Sequence, residues 1–191
     1  HPDIFFTQVH DALVVAPNLP AKFIQRLRDN NVSFVIGKIP VGPEYPETAV
    51  YNAVVTNKFI IHNSKITDPS IPELAGQKTH IHVNQGYTRC NLIFLDDDHH
   101  ITSDRGIYQQ LEKSGVNTFF INPAGVQIPG FDHGFFGGCC GLFENKLFLL
   151  GNPDRHPDGR KLNSFVDQLN IKISALSSTS LFDGGGIFFV E

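Results

Sequence analysis

The stretch GFDHGFFGGCCGL at positions 130–142 decides how the rest of the chain is read. It gathers five glycines, Asp132 beside His133, Phe135 beside Phe136, and the adjacent thiols of Cys139 and Cys140. Glycines this dense next to two cysteines require a backbone that turns tightly or is approached closely. Two readings follow from the stretch alone. One is a nucleophile in a glycine cradle. The other is a crowded strand start in a repeated fold.

Outward from it, the 191 residues predict a single domain over positions 1–191. The chain is 41% hydrophobic and 18% charged, enough apolar material for a core. A net charge of −4 with scattered basic residues gives no basic stripe and so no nucleic-acid footprint. No apolar run reaches the ~18 residues of a membrane span, and no charged-then-apolar leader opens the chain. Three cysteines, two of them neighbours, make no disulfide framework, which points to a reducing, cytoplasmic setting.

An internal repeat organises the chain. Each copy reads as two short strands joined by a polar turn, then a helix, then a third strand. The first copy predicts strands at 4–9 and 12–16. Asn18 and Pro20 would start a helix carrying Phe23, Ile24 and Leu27, and a strand follows at 32–36. The second copy predicts strands at 51–55 and 59–62, a helix capped at Asp68, and an alternating strand at 79–83. The third predicts strands at 90–95 and 99–102, a helix capped at Ser103 or Asp104, and a strand at 117–121. The fourth takes the opening stretch as its start, with strands at 139–143 and 147–150. Its helix face is Leu162, Phe165, Val166 and Leu169, and a strand closes it at 171–174. Positions 183–190 read as a fifth inner strand. The expected fold is α/β: about five repeated ββα(β) modules in a propeller around a central channel. In this alignment Cys139 falls with Tyr51 and Cys90, and Cys140 with Asn52 and Asn91.

The fragments HNSKITDP, VNQGYTRCN, GFDHGFFGGCCG, HPDGRKLNSF and LFDGGGIFFVE resemble a family of uncharacterised bacterial proteins placed in the pentein, or guanidino-group-modifying, fold. DGGGIFF is similar to the DGGD-plus-apolar-strand motif of dimethylarginine dimethylaminohydrolase and arginine deiminase. GGCCGLF is similar to the strand that carries their nucleophilic cysteine. The resemblance implies a thiolate attacking a guanidinium carbon, a histidine as general acid and base, and carboxylates on the cationic nitrogens. Those enzymes present acid, histidine and cysteine from the second, third and fifth inner strands. Here the second offers Tyr51 and Asn52, with Glu47 upstream. The third offers no histidine, His82 lying several residues early. The fifth offers Asp183 and glycines but no cysteine.

The candidate site is the channel mouth. Cys139 is the candidate nucleophile and His133 the candidate acid/base, against the alternative that both cysteines are small buried packing residues. Adjacent Asp132 and His133 point to opposite sides if the segment is extended. Asn52, Tyr87, Arg89, Asp132 and Asp183 are the candidate substrate-binding residues, with Tyr51 and Cys90 beside them. Arg89 would meet a substrate carboxylate or pair with Asp132 or Asp183. No cofactor is expected. The run Asp96-Asp97-Asp98-His99-His100 and the pair His80 and His82 lack metal-site spacing, so no metal is expected either. The expected partner is a small molecule, with a guanidino compound as the candidate. Two functions remain: a cysteine-dependent guanidino hydrolase or amidinotransferase-like enzyme, or a non-catalytic small-molecule or protein-binding module on the same fold.

Overall fold

Four times along the chain, an antiparallel hairpin is followed by a helix and by a third strand that returns parallel to the second. The computed structural model describes residues 1–190. The first module is β1 (Phe6–Val9), β2 (Ala12–Val15), α1 (Ala21–Asp29) and β3 (Ser33–Ile36). The second is β4 (Val54–Val55), β5 (Phe59–His62), α2 (Ser70–Ala75) and β6 (Thr79–His82). After the one-turn helix α3 (Thr88–Asn91) come β7 (Leu92–Phe94), β8 (His99–Thr102), α4 (Arg105–Lys113) and β9 (Asn117–Phe120). A short β10 (Val126–Gln127) precedes the fourth module, formed by β11 (Cys140–Phe143), β12 (Lys146–Leu149), α5 (Gly159–Asp167) and β13 (Lys172–Ala175). β14 (Leu181–Phe182) pairs parallel to β10 as a separate two-stranded sheet.

The register is the same in all four modules. Ala12 faces Ser33, Phe59 faces Thr79, His99 faces Asn117, and Lys146 faces Lys172, each the first residue of its strand. One residue further on, Leu13, Ile60, His100 and Leu147 therefore hold equivalent places. The chain divides into two compact units, His1–Thr88 with Val190, and Arg89–Phe189.

Each unit has its own core. In the first, Val9, Val14, Val50, Tyr51, Ile60 and Ile71 pack together, and Leu13, Val15, Leu19 and Val32 pack with Ile24, Leu27 and Phe34. In the second, Ile93, Ile101, Phe136, Leu147, Leu149, Leu162 and Val166 enclose both Cys139 and Cys140. Each fully buried Leu or Ile contributes about 1.5–3 kcal/mol relative to exposure. Helix α4 begins where an N-cap was expected, with Asp104 Oδ1 accepting from Ile107 N at 2.8 Å, and it buries Ile107 and Leu111. Phe165 of α5 stacks on Phe119 of β9 at 5.3 Å.

Three expectations are corrected. Asn18 does not cap α1; its amide instead bonds Val41 O and Val41 N at 2.8 and 3.0 Å. The first strands start later than their apolar patterns suggest. Helical turns occupy Pro2–Ile4, Glu47–Ala49, Thr88–Asn91 and Gly137–Cys139 ahead of them. Short apolar runs do not distinguish turn from strand, and the local 3-10 bond Cys139 N to Phe136 O, 3.0 Å, takes precedence. Positions 183–190 form no strand. Gly185 and Gly186 adopt φ of 87° and 81°, which breaks an extended ladder, and Asp183 Oδ1 closes the turn by accepting from Gly185 N at 3.1 Å. Among the described residues no helix is long and apolar enough to cross a membrane.

Candidate functional site

The 3-10 turn Gly137–Cys139 exists because glycine alone fits there. A Cβ built on Gly138 would collide with the Asp183 carboxylate. The turn delivers Cys139 to the start of β11 with both thiols fully buried. Cys139 Sγ donates to Phe136 O at 2.9 Å, while Cys140 Sγ lies 3.3 Å from Phe136 O and 3.7 Å from Gly137 O. Burial pushes the Cys139 thiol well above its ordinary pKa, and the neighbouring Cys140 thiol and the Asp183 charge push the same way. The thiol is therefore neutral near pH 7. Among the described residues no imidazole is bonded to either sulfur.

The equivalent backbone bonds Ala16 N to Phe5 O, Ser103 N to Asn91 O and Leu150 N to Cys139 O place Cys139 with Phe5 and Asn91. The expected alignment of Cys139 with Cys90 is off by one residue.

His133 is exposed; its Nδ1 sits 3.1 Å from Gly134 O and its ring is 6.3 Å from Phe135. Asp132 is also exposed, next to Phe131, which is 75% exposed. This part of the opening stretch is surface loop. Asp183, by contrast, is 1% exposed, and Oδ2 accepts from Phe135 N at 2.9 Å. Burial raises its pKa, against the two N–H groups that favour the charged form.

Arg89 differs most from expectation. It is 8% exposed and its guanidinium is committed to three backbone carbonyls. Nη1 donates to Gly137 O at 2.7 Å, and Nη2 reaches Cys140 O at 3.1 Å and Ile187 O at 3.4 Å. The Phe188 ring lies 5.2 Å from its Cζ. Arg89 thus pairs with neither Asp132 nor Asp183, and its fork is filled by main chain. Cys90 is buried and forms no disulfide.

The remaining candidates lie in the first unit. Tyr51 is fully buried, its hydroxyl 2.6 Å from Ile39 O and 2.9 Å from Asp68 Oδ2. Burial, then the Asp68 carboxylate, raises the phenol above its usual pKa. Burial pulls Asp68 up, yet N–H donors from Ile39, Ser70 and Lys38, with the Tyr51 hydroxyl, outweigh it and hold the carboxyl below the usual range. Asn52 donates to Asp3 O at 2.7 Å, and the Tyr87 hydroxyl meets Thr48 Oγ1 at 2.6 Å. Sequence reading took Asp68 only as a helix cap and did not single out this carboxylate nest. It placed His62 in a strand, where the structure buries it against Gly86 O and Thr67 Oγ1 at 2.9 and 2.8 Å. Asp96 is a turn cap, accepting from Asp98 N and His99 N at 2.8 Å each.

The repeated hairpin–helix–strand module and the glycine-bounded turn define the class. This is a mixed α/β fold similar to that of solved pentein structures. Similar solved structures are C. jejuni agmatine deiminase (TM-score 0.59, 10% identity, 93% of this chain and 69% of that one) and DDAH from Pseudomonas aeruginosa. The latter, a cysteine-to-serine mutant complexed with citrulline, gives a TM-score of 0.51 at 9% identity, with 93% and 70% coverage. A cysteine-to-serine C. jejuni agmatine deiminase with substrate bound gives 0.53 at 10% identity, covering 88% and 64%. No curated protein matches the sequence. The chain belongs to the Family of unknown function (DUF6873), whose model matches residues 1–188.

Proposed function

We propose that this protein is a non-catalytic binding module on the guanidino-enzyme fold, and that its cysteine pair is structural in the conformation described. One observation carries this reading: Cys139 Sγ is buried and donates to Phe136 O, with no imidazole bonded to either thiol among the described residues. A hydrolase needs the reverse, a thiolate favoured by a cationic neighbour and open to substrate. The Asp183 charge works against that thiolate. A small guanidino or ureido compound is the proposed ligand class, supported by the fold shared with agmatine deiminase and DDAH. Closure of the modules into a propeller belongs to the same proposal, supported by four modules of identical topology.

The likeness to deiminases favours a second reading, in which Cys139 attacks a guanidinium carbon and Asp183 binds the cationic nitrogens. Incubation with agmatine, arginine and citrulline, with ammonia and ureido products followed alongside calorimetric binding, separates the two. Binding without turnover supports the module. Turnover abolished by Cys139→Ser overturns it.

A further inference from the structure

We propose that residues 184–188 form a strap latched by Arg89 over the Cys139–Cys140 turn, and that the thiols become reactive only when the latch opens. This rests on the reading that the cysteines are out of use in the latched state. Three backbone bonds tie the strap to the turn. Gly184 N and Gly186 N both donate to Gly138 O, at 3.0 and 2.7 Å, and Ile187 N donates to Cys140 O at 3.0 Å. Arg89 joins the two sides, since Nη2 meets Cys140 O and Ile187 O together while Nη1 holds Gly137 O. A Cβ on Gly141 would strike Ile187, so the two segments lie in direct contact.

The strap's chemistry makes it the part of the unit that opens first. It has no strand ladder and no helix, and segments held by few bonds open locally at a fraction of the global free energy. The latch is a charge-assisted one, and only a planar fork bridges several carbonyls at once. A lysine would reach one. The buried guanidinium is compensated by carbonyl dipoles and by the face of Phe188.

Native-state alkylation tests this. Iodoacetamide labelling of Cys139 and Cys140 is followed by mass spectrometry at constant pH, on wild type, Arg89→Ala and Arg89→Lys, with urea unfolding of each measured separately. The strap predicts labelling at least about tenfold faster in folded Arg89→Ala, from loss of a charged hydrogen bond. Millimolar guanidinium chloride restores protection by refilling the carbonyl cradle, and equal sodium chloride does not. Folded Arg89→Ala with thiols as slow as wild type overturns the proposal. If Arg89→Ala does not fold, wild-type labelling in sub-denaturing urea decides. A shallow urea dependence supports local opening, and the full global slope overturns it. Because labelling and not turnover is read, failure here leaves the binding-module reading standing, and turnover sinks only the latter.

Discussion

His100 offers a sharp test of the packing argument. It is fully buried, and neither ring nitrogen has a hydrogen-bond partner. Its equivalents in the other modules are Leu13, Ile60 and Leu147, so an imidazole fills an aliphatic slot. Burial holds its pKa down at about 4, against the pull of the nearby Asp96 and Asp97 charges. His100→Leu replaces unsatisfied polar atoms with a side chain of similar size. An unpaired buried polar group costs about 1–3 kcal/mol, so stabilisation of about 1 kcal/mol or more is expected at pH 7.5. The linkage has a definite sign. A folded pKa of about 4 against 6.5 unfolded means the unfolded chain binds more protons between those values. Stability contributed by the neutral ring is present above pH 6.5 and lost as pH falls towards 4. At pH 5 the loss is about 2 kcal/mol, and the leucine variant does not suffer it. Its advantage therefore grows to about 3 kcal/mol at pH 5. Urea titrations of both proteins at pH 7.5 and 5.0 measure this. Destabilisation at pH 7.5, or an unchanged gap between the two pH values, would refute the reasoning.

Three further outcomes follow from the same geometry. Gly138→Ala should destabilise by about 2 kcal/mol or more, since a Cβ meets the Asp183 carboxylate; pairing it with Asp183→Ala should recover part of the loss in a double-mutant cycle. Tyr51→Phe removes the hydroxyl shared by Ile39 O and Asp68 and should cost about 1–3 kcal/mol in urea unfolding, whereas Tyr87→Phe should cost less. Wild-type Cys139 should label with iodoacetamide more than about tenfold slower than free cysteine at pH 7.5, its rate still climbing past pH 9, as its raised pKa requires. A plateau below pH 7 would contradict that.

Local patterns carried the fold a long way. The polar turns, the Asp104 cap and the apolar pairs Ile107–Leu111 and Leu162–Val166 mark elements whose signals lie within a few residues, so the four modules were legible. The family resemblance pointed to the fold that the similar structures share. The candidate site was less legible, because the roles of its residues depend on partners far along the chain. Arg89 reads as a substrate clamp until Gly137, Cys140 and Ile187 are brought to it, 48 to 98 positions away. Asp68 reads as a helix cap until Lys38 and Ile39 supply its N–H donors.

The stretch at 130–142 shows the same division. By itself the sequence determined that its glycines mark close approach and that it opens the fourth module. Spacing and side-chain size are local properties, and these are legible in a string of residues. That the two adjacent thiols are buried in the core is a fact of tertiary structure alone. Burial and the Asp183 charge push the Cys139 thiol's pKa up, its Sγ donates to the Phe136 carbonyl, and none of these surroundings is written in the neighbouring letters.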